Sequence, residues 1–492
     1  MQKKDFEAVA EALKRAQQKT TAAIKDFLRE LDGKNETEAL AGKRLTARAR
    51  ITALFDEGTF VETGAYIKRR ATEFDPDAIE SDDFEAVITG YGSVNGSLVY
   101  AFAEDHFRSK GAVGEAHAKK ICALYDMAIA NGAPVVGIFD SNGAFILEGT
   151  AALSGYGKVM SSVSKASGVI PQIAVIAGTC AGSAAVIASM FDVTVLSELD
   201  GKFYVTKNNA SVPAITVADE ISAILEAKLL LSVLPANNCE GTVRYEKNAN
   251  GPVDVSYIKD GGYDVHSVIA SVADDGNYKE LYAALAPEVV IALSSVGGTV
   301  TGIVATNPAV NGGKLTSDAA KKASRLVSLC DSFNIPVVTI VDTKGLDTES
   351  APDANELAKL AFAYTSSECA KVTVVTGEAY GAAYTVLGSK SVGSDITLAL
   401  DSAVISAMPA ESAVALLWDE KFEGATDPAA RRAELVSEWN ATFGSAVDAA
   451  YKGEIDDIIE SSELRARIAA ALEMLSMKST GDPVRRHINL PL

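Results

Sequence analysis

The chain has 492 residues, of which 48% are hydrophobic and 22% charged, a composition typical of globular proteins that bury a substantial core. This length exceeds one hydrophobic core and fits two domains of about 200 residues each. The formal net charge of −20 disfavours nucleic acid or an anionic membrane surface as the main partner, because both need a basic protein face.

The five cysteines form no Cys-x-x-Cys pair, which predicts reduced thiols, and the four histidines lie too far apart to suggest a metal site. The N-terminus lacks the apolar segment of a signal peptide, so a cytoplasmic location is predicted. The apolar stretch 166–190 is interrupted by Pro171, Gly178 and Gly182, which favours a buried strand and helix over a membrane span. No direct membrane insertion is therefore expected.

The predicted elements fall into three parts. Residues 1–45 form a helical extension, because apolar residues recur at helical spacing up to Gly33. A first domain is predicted at 46–265 and a second at 266–492. In the first, the predicted elements are strands 84–88 and 98–103, a glycine-rich turn at 90–92, a hairpin at 95–96, helix 115–130 and strand 134–139. In the second, they are strands 289–295 and 300–305, helix 317–333, strand 336–341 and a helix at 463–477.

The second domain repeats the first at a distance of about 200 residues. Residues 131–144 resemble 334–345, and residues 174–186 resemble 373–386. Two pairs of similar segments, each separated by nearly the same number of residues, indicate a duplicated domain. Strands of continuous Val and Ile alternating with helices predict an α/β fold with parallel crossover units, joined by a loop-rich connection at 207–265.

Each copy carries a turn of small residues between a buried strand and a helix, Gly182-Ser183 in the first and Ala382-Ala383 in the second. Backbone N–H groups at such a turn can face a ligand oxygen, and the helix N-terminus favours negative charge there. One such turn could merely pack a helix tightly on a sheet, whereas two matched turns favour paired oxyanion holes. Neither turn has a nucleophile or a Ser-His-Asp pattern beside it, which points to enolate stabilisation.

The chain resembles the carboxyltransferase (beta-type) subunit of biotin-dependent acyl-CoA carboxylases and acyl-CoA decarboxylases. The resemblance runs from about residue 40 to the C-terminus. The matching segments begin at Lys43 (Lys-Arg-Leu-Thr-Ala-Arg-Ala-Arg-Ile), Phe55 (Phe-Asp-Glu-Gly-Thr-Phe-Val-Glu), Gly114 (Gly-Glu-Ala-His-Ala-Lys-Lys-Ile), Asp331 (Asp-Ser-Phe-Asn-Ile-Pro), Ala379 (Ala-Tyr-Gly-Ala-Ala-Tyr) and Asn489 (Asn-Leu-Pro-Leu).

The resemblance implies tandem crotonase-like (ClpP/crotonase) domains with β-β-α superhelical units. It implies transfer of a carboxyl group between carboxybiotin, presented by a partner protein, and a short-chain acyl-CoA such as propionyl-CoA or acetyl-CoA. The acyl-CoA enolate is then held by the N–H groups of Gly182 and Ser183, and the biotin side by those of Ala382 and Ala383. The implied substrate-binding residues are Gly143, Ala144, Phe145, Tyr156, Gly345, Tyr384 and Thr385, with no metal.

The implied partners are a biotin carboxyl carrier protein and a biotin carboxylase subunit, or the membrane subunits of a decarboxylase. The resemblance also implies a homo-oligomer, a dimer of trimers, whose half-sites meet across a subunit interface. The position of Thr385 is linked in the family with the choice of acyl group.

Several positions depart from the family pattern. The family's Asp-Ser-Gly-Gly-Ala-Arg-Ile is Asp140-Ser-Asn-Gly-Ala-Phe-Ile here, so that a cation is lost at Phe145. Three alternatives to an acyl-CoA carboxylase subunit therefore stay open: the subunit of a sodium-pumping acyl-CoA decarboxylase, a weakly active scaffold of a carboxylase complex, and a hydratase-like crotonase enzyme. The last needs a pair of acidic residues in the pocket, a pattern that Glu115, Glu148 and Asp140 do not display.

Overall fold

The computed structural model describes residues 44–65, 67–70, 72, 74, 85–206, 213–246, 251–422, 427–479 and 491. The predicted helical extension at 1–45 lies outside the described residues except for its last two positions. The chain divides into two compact units between Gly241 and Thr242. The sequence predicts this boundary at 265/266, whereas Val255, Ile258 and Tyr263 pack into the core of the second unit.

The first unit contains five α-helices and eight strands in its described part. The helices are α1 (Ala47–Leu54), α2 (Glu115–Asn131), α3 (Thr150–Ala166), α4 (Ser183–Ser189) and α5 (Glu220–Val233). The strands are β1 (Val61–Thr63), β2 (Val87–Val94), β3 (Ser97–Glu104), β4 (Val135–Ser141), β5 (Gln172–Ala181), β6 (Val193–Ser197), β7 (Lys202–Tyr204) and β8 (Ile215–Val217).

The described part of the second unit contains eight α-helices and eight strands. The helices are α6 (Val265–Val272), α7 (Ser317–Ser332), α8 (Ala354–Ser366), α9 (Gly381–Val386), α10 (Ala410–Leu417), α11 (Pro428–Phe443), α12 (Ala446–Tyr451) and α13 (Leu464–Met474). The strands are β9 (Tyr278–Leu281), β10 (Val289–Val296), β11 (Thr299–Thr306), β12 (Val337–Thr343), β13 (Lys371–Tyr380), β14 (Ile396–Leu400), β15 (Val404–Ser406) and β16 (Asp457–Ile459).

The two sheets have the same topology, which confirms the duplication. The first runs β1-β2-β3-β4-β5-β6-β8 with β7 paired to β5, and the second runs β9-β10-β11-β12-β13-β14-β16 with β15 paired to β13. In each sheet an antiparallel hairpin (β2–β3, β10–β11) leads into parallel strands. Parallel strands need helical crossovers, which explains the alternation of strands and helices read from the sequence.

Each unit has its own hydrophobic core. In the first, α2 and α3 pack against the sheet through buried residues such as Ile121, Val163 and Ile176. In the second, α6 and α13 bury Val268 and Ile468 on strands β10–β14. No helix in the described ranges is long and apolar enough to cross a membrane.

The prediction of a glycine-rich turn at 90–92 was wrong, because both glycines lie inside β2. These positions require glycine because there is no room for a side chain. A Cβ at Gly90 would collide with the carbonyl of Val61 and the ring of Phe60. The hairpin turn itself is formed by Asn95 and Gly96, as predicted. The region 207–265 also differs from the prediction, since it contains β8 and the four-turn helix α5.

Candidate functional site: two matched turns

The first turn connects β5 to α4 through Gly182. This glycine has φ +59° and ψ −125°, a conformation that side-chain-bearing residues rarely adopt. A Cβ at this position would meet no atom within 4 Å, so the glycine is required by the backbone conformation and not by lack of space. The sharp reversal brings Ser183, the first residue of α4, to the turn.

The N–H groups of this turn are not equivalent. That of Gly182 donates to the carbonyl of Tyr204 at 3.2 Å, and so ties the turn to β7. For the N–H of Ser183, no acceptor is recorded among the described residues. Of the two predicted donors, Ser183 is therefore the one whose N–H is available to a ligand.

The second turn connects β13 to α9 through Gly381, which has φ +54°. Ala382 is exposed and Ala383 is buried, and no acceptor is recorded for either N–H within the described part of the chain. Thr385 is exposed, and its hydroxyl donates to the carbonyl of Gly381 at 3.1 Å. The geometry thus leaves two backbone donors at this turn.

A second glycine segment follows the neighbouring strand in each unit. After β4, Gly143 (φ +112°) receives the Val113 N–H on its carbonyl at 2.9 Å, and Ala144 pairs with Val113. After β12, Gly345 (φ +106°) receives the Leu315 N–H at 3.0 Å in the same way. Because β4 and β5 are adjacent parallel strands, as are β12 and β13, each glycine segment lies at the same sheet edge as the turn of its unit.

Behind the first turn lies a buried carboxylate, Asp140. Its Oδ2 accepts hydrogen bonds from Arg44 at 2.6 Å and from Arg50 at 2.8 Å, and its Oδ1 accepts the Thr179 N–H at 3.2 Å. Burial alone would raise the pKa of Asp140, but His106 and the two guanidinium groups outweigh it and hold the pKa well below its ordinary value. Asp140 is therefore an ionised anchor between β4 and β5.

Arg50 joins this anchor to helix α5. Its guanidinium is 1% exposed, and its Nε donates to Glu220 at 2.8 Å. Glu220 also accepts the N–H of Leu45 at 2.6 Å. The ion network thus fixes α1 and α5 to the strands that end at the first turn.

The second unit has the same carboxylate with different neighbours. Asp342 accepts the Glu378 N–H at 2.9 Å, as Asp140 accepts that of Thr179. Among the described residues it has no cationic group within 4 Å. Its burial raises its pKa, and the hydrogen bonds from Glu378 and Tyr263 only partly oppose that shift.

The two predicted tyrosines occupy different places in the duplicated plan. Tyr156 lies in α3 and Tyr384 in α9, and both side chains are buried. Burial raises the pKa of both phenols, that of Tyr384 to about 12, so both are neutral at physiological pH. The neutral hydroxyl of Tyr156 lies near Ser141, which precedes the first glycine segment.

Phe145 has a cationic neighbour that sequence reasoning missed. The guanidinium carbon of Arg69 lies 5.0 Å from the centroid of the Phe145 ring, and its Nη1 donates to Ser109 at 2.8 Å. A guanidinium over an aromatic face is a favourable cation–π arrangement. A cation thus lies beside position 145, supplied by a segment 76 positions earlier, where the sequence offered no signal for it.

The described residues contain no group of three or more His, Cys, Asp or Glu side chains placed to hold a metal. The conspicuous features are instead two strand–turn–helix units with backbone donors, one in each half of a duplicated fold.

The profile of the carboxyl transferase domain matches residues 39–210 and 198–490. The methylmalonyl-CoA decarboxylase subunit alpha of Propionigenium modestum is 36% identical over 487 residues, covering 92% of this chain and 94% of that protein. The propionyl-CoA carboxylase carboxyltransferase subunit of Haloferax mediterranei is 34% identical over 484 residues, covering 91% and 94%. The crystal structure of the transcarboxylase 12S hexamer with hydrolysed methylmalonyl-coenzyme A superposes with a TM-score of 0.87 at 33% identity, covering 96% and 98%.

The chain belongs to the carboxyl transferase family. Within that family it is a biotin-dependent acyl-CoA carboxyltransferase, which confirms the family, the enzyme class and the crotonase-like tandem fold predicted from the sequence.

Proposed function

We propose that this chain transfers a carboxyl group between biotin on a separate carrier protein and a short-chain acyl-CoA of the propionyl/methylmalonyl type. The observation that carries the proposal is the pair of matched turns, each with at least one backbone N–H that has no acceptor among the described residues. The relatives support the acyl class, because their names specify methylmalonyl-CoA and propionyl-CoA.

At the first turn, the N–H of Ser183 donates to the thioester oxygen of the acyl-CoA. Loss of the α-proton puts negative charge on that oxygen, and a fixed donor at a helix N-terminus stabilises it more than the neutral ground state. Gly182 contributes by its backbone conformation, because its own N–H is engaged with Tyr204. Gly143, Ala144, Phe145 and Tyr156 complete the acyl-CoA side.

At the second turn, the N–H groups of Ala382 and Ala383 face the carrier's biotin. Exposed Ala382 and the small Ala383 side chain fit a ligand that approaches the backbone closely. Biotin, when bound, supplies the carboxyl group and accepts the α-proton of the acyl-CoA. Gly345, Tyr384 and Thr385 line this side, and Thr385 influences which acyl group is accepted.

We further propose that Arg69 supplies the positive charge for the anionic acyl-CoA that Phe145 cannot. The R69M variant should raise the KM for acyl-CoA about tenfold with little change in kcat, equivalent to about 1.4 kcal/mol of binding free energy. Steady-state kinetics with free biotin as acceptor measure both constants.

The matched control for Arg69 is R70M, because Arg70 is an exposed arginine paired with Glu115. R69K retains the charge and should recover most of the affinity. Equal KM values for R69M and R70M would remove Arg69 from the acyl-CoA site.

We propose that the turns serving one reaction come from different copies of the chain, in a hexamer built as a dimer of trimers. The related 12S protein is a hexamer in its crystal structure, which supports this assembly. S183P and A382P each remove one donor, and each oligomer alone should lose about a hundredfold in rate. Mixed oligomers should regain part of the activity, since some interfaces then join two intact turns.

Subunit exchange must be verified separately, for example by mass spectrometry of differently labelled copies. Mixed oligomers that remain as inactive as either parent would show that both turns serving one reaction belong to one chain.

The same site fits two physiological settings, an acyl-CoA decarboxylase and an acyl-CoA carboxylase, and the relatives include one of each. The Propionigenium modestum relative is a decarboxylase subunit, whereas the Haloferax mediterranei relative belongs to a carboxylase. Affinity purification of the tagged chain from its own cells distinguishes them: a membrane decarboxylase subunit co-purifies if the chain serves a decarboxylase, and a biotin carboxylase subunit and carrier co-purify if it serves a carboxylase. Decarboxylation of methylmalonyl-CoA in the presence of free biotin tests the shared activity, and its absence in folded protein would leave only the scaffold role.

A further inference from the structure

The second unit contains a cavity of about 270 Å³ that the carboxyltransferase site does not use. It lies where the segment 258–262 passes the carboxyl-terminal ends of β12 and β13 and the start of β15. Its lining includes Asp342, Gly377, Glu378, Thr376, Lys344 and Asp260.

The most buried charged group of this cavity is Asp342, whose side chain belongs to a residue only 6% exposed. One carboxylate oxygen accepts the Glu378 N–H at 2.9 Å. The phenol of Tyr263 is hydrogen-bonded to Asp342 and lies 2.8 Å from the hydroxyl of Thr376. Within the described ranges no lysine, arginine or histidine forms an ion pair with Asp342, although buried carboxylates usually have such a partner.

The first unit shows which partner a carboxylate at the position of Asp342 can have. Asp140 occupies the equivalent place at the end of β4. It lies next to a glycine on the neighbouring strand, just as Asp342 lies next to Gly377. There the carboxylate is held by two guanidinium groups, those of Arg44 at 2.6 Å and Arg50 at 2.8 Å. The same backbone framework thus binds guanidinium in the first unit and leaves a cavity in the second.

The rim carries two carboxylates and two lysines. Glu378 is partly exposed and Asp260 exposed, so two further carboxylates stand at the mouth. The two lysines of the rim already have partners: Lys259 lies 3.2 Å from Asp401, and Lys344 lies 3.9 Å from Glu378. The buried carboxylate of Asp342 has no lysine within 4 Å among the described residues, although the charge of Lys344 lowers its pKa.

We propose that this cavity binds a monosubstituted guanidinium group, with Asp342 as its carboxylate partner and Glu378 at the entrance. A guanidinium is planar and presents parallel N–H donors that match a carboxylate, and it is weakly hydrated enough to enter a half-buried site. The ligand is either a small alkylguanidinium or the end of an arginine side chain in a peptide. None of the residues of the two turns lines this cavity, and the binding does not depend on the proposed carboxyl transfer.

The test compares ethylguanidinium with ethylurea, which has nearly the same shape and no charge, on the full chain. Isothermal titration calorimetry and the melting temperature should show saturable binding of ethylguanidinium and none of ethylurea. D342N should weaken that binding about ten- to a hundredfold, because the charged hydrogen bonds are lost. D448N, the same substitution in a partly exposed carboxylate on α12 that pairs with Lys452, is the matched control and should bind like the wild type.

E378Q provides a second variant that does not depend on the folding of D342N, because Glu378 is partly exposed. It should weaken binding about two- to fivefold, as expected for a partly exposed charge. N-acetylarginine methylamide distinguishes the two sources: binding comparable to that of ethylguanidinium indicates an arginine side chain, and loss of binding indicates a small alkylguanidinium. The proposal is overturned if ethylguanidinium shows no saturable binding, if ethylurea binds equally, or if folded D342N binds like the wild type.

Discussion

Replacement of Arg50 by methionine is expected to lower the free energy of unfolding of the first unit by about 3–5 kcal/mol, the cost of leaving a buried charge without its partner. Arg50 is 1% exposed and holds both Asp140 and Glu220 at 2.8 Å. Without it, Glu220 loses its cation, and Asp140 retains only Arg44 and His106. Denaturant unfolding followed by circular dichroism measures the change.

The matched control is R48M in the same helix. Arg48 pairs with Glu62 near the surface, and its side chain is 39% exposed. Such pairs contribute about 0–1 kcal/mol, so R48M should unfold almost like the wild type. Equal stabilities of R50M and R48M would contradict the structural role of the network.

The pH dependence of the free energy of unfolding is an independent test of this network. The folded pKa of Asp140 is depressed, so its contribution is present above the unfolded pKa and is lost as the pH falls through the folded value. Wild-type stability from Asp140 should therefore decline steadily as the pH falls below the ordinary aspartate pKa, until the pH reaches the depressed folded pKa. In R50M this decline should end at higher pH and the total loss in acid should be smaller, because one of the charges that depress the pKa is gone.

The S183P variant is expected to lose about a hundredfold in kcat for carboxyl transfer, the effect of removing one oxyanion donor worth about 3 kcal/mol. Proline suits this position, because Ser183 is the first residue of α4 and a missing N–H there breaks no helical hydrogen bond. Single-turnover decarboxylation of methylmalonyl-CoA with free biotin measures the chemical step.

S183A is the control, since it removes the hydroxyl and keeps the N–H; it should retain nearly full activity. If S183P is folded and turns over at the wild-type rate, the donor at the first turn is not Ser183. If S183A loses as much as S183P, the hydroxyl and not the backbone is the important group.

The sequence by itself determined the duplication, the α/β class and the two turns. These depend on local patterns, namely apolar strands and glycines that recur at nearly the same separation in both halves. Gly182 and Gly381 have positive φ angles that other residues do not adopt readily. The family membership followed from ordered motifs along most of the chain. The substrate-binding roles of residues such as Thr385 remain predictions.

Only the tertiary structure decided what each turn and each carboxylate contacts. The engagement of the Gly182 N–H by Tyr204, and the guanidinium of Arg69 over Phe145, join segments whose spacing in the chain has no fixed relation to their distance in space. The same holds for the paired aspartates, which are alike in sequence. Asp140 lies against two arginines, whereas Asp342 lies against a cavity, because long-range packing and not the local pattern sets the neighbours of a buried charge.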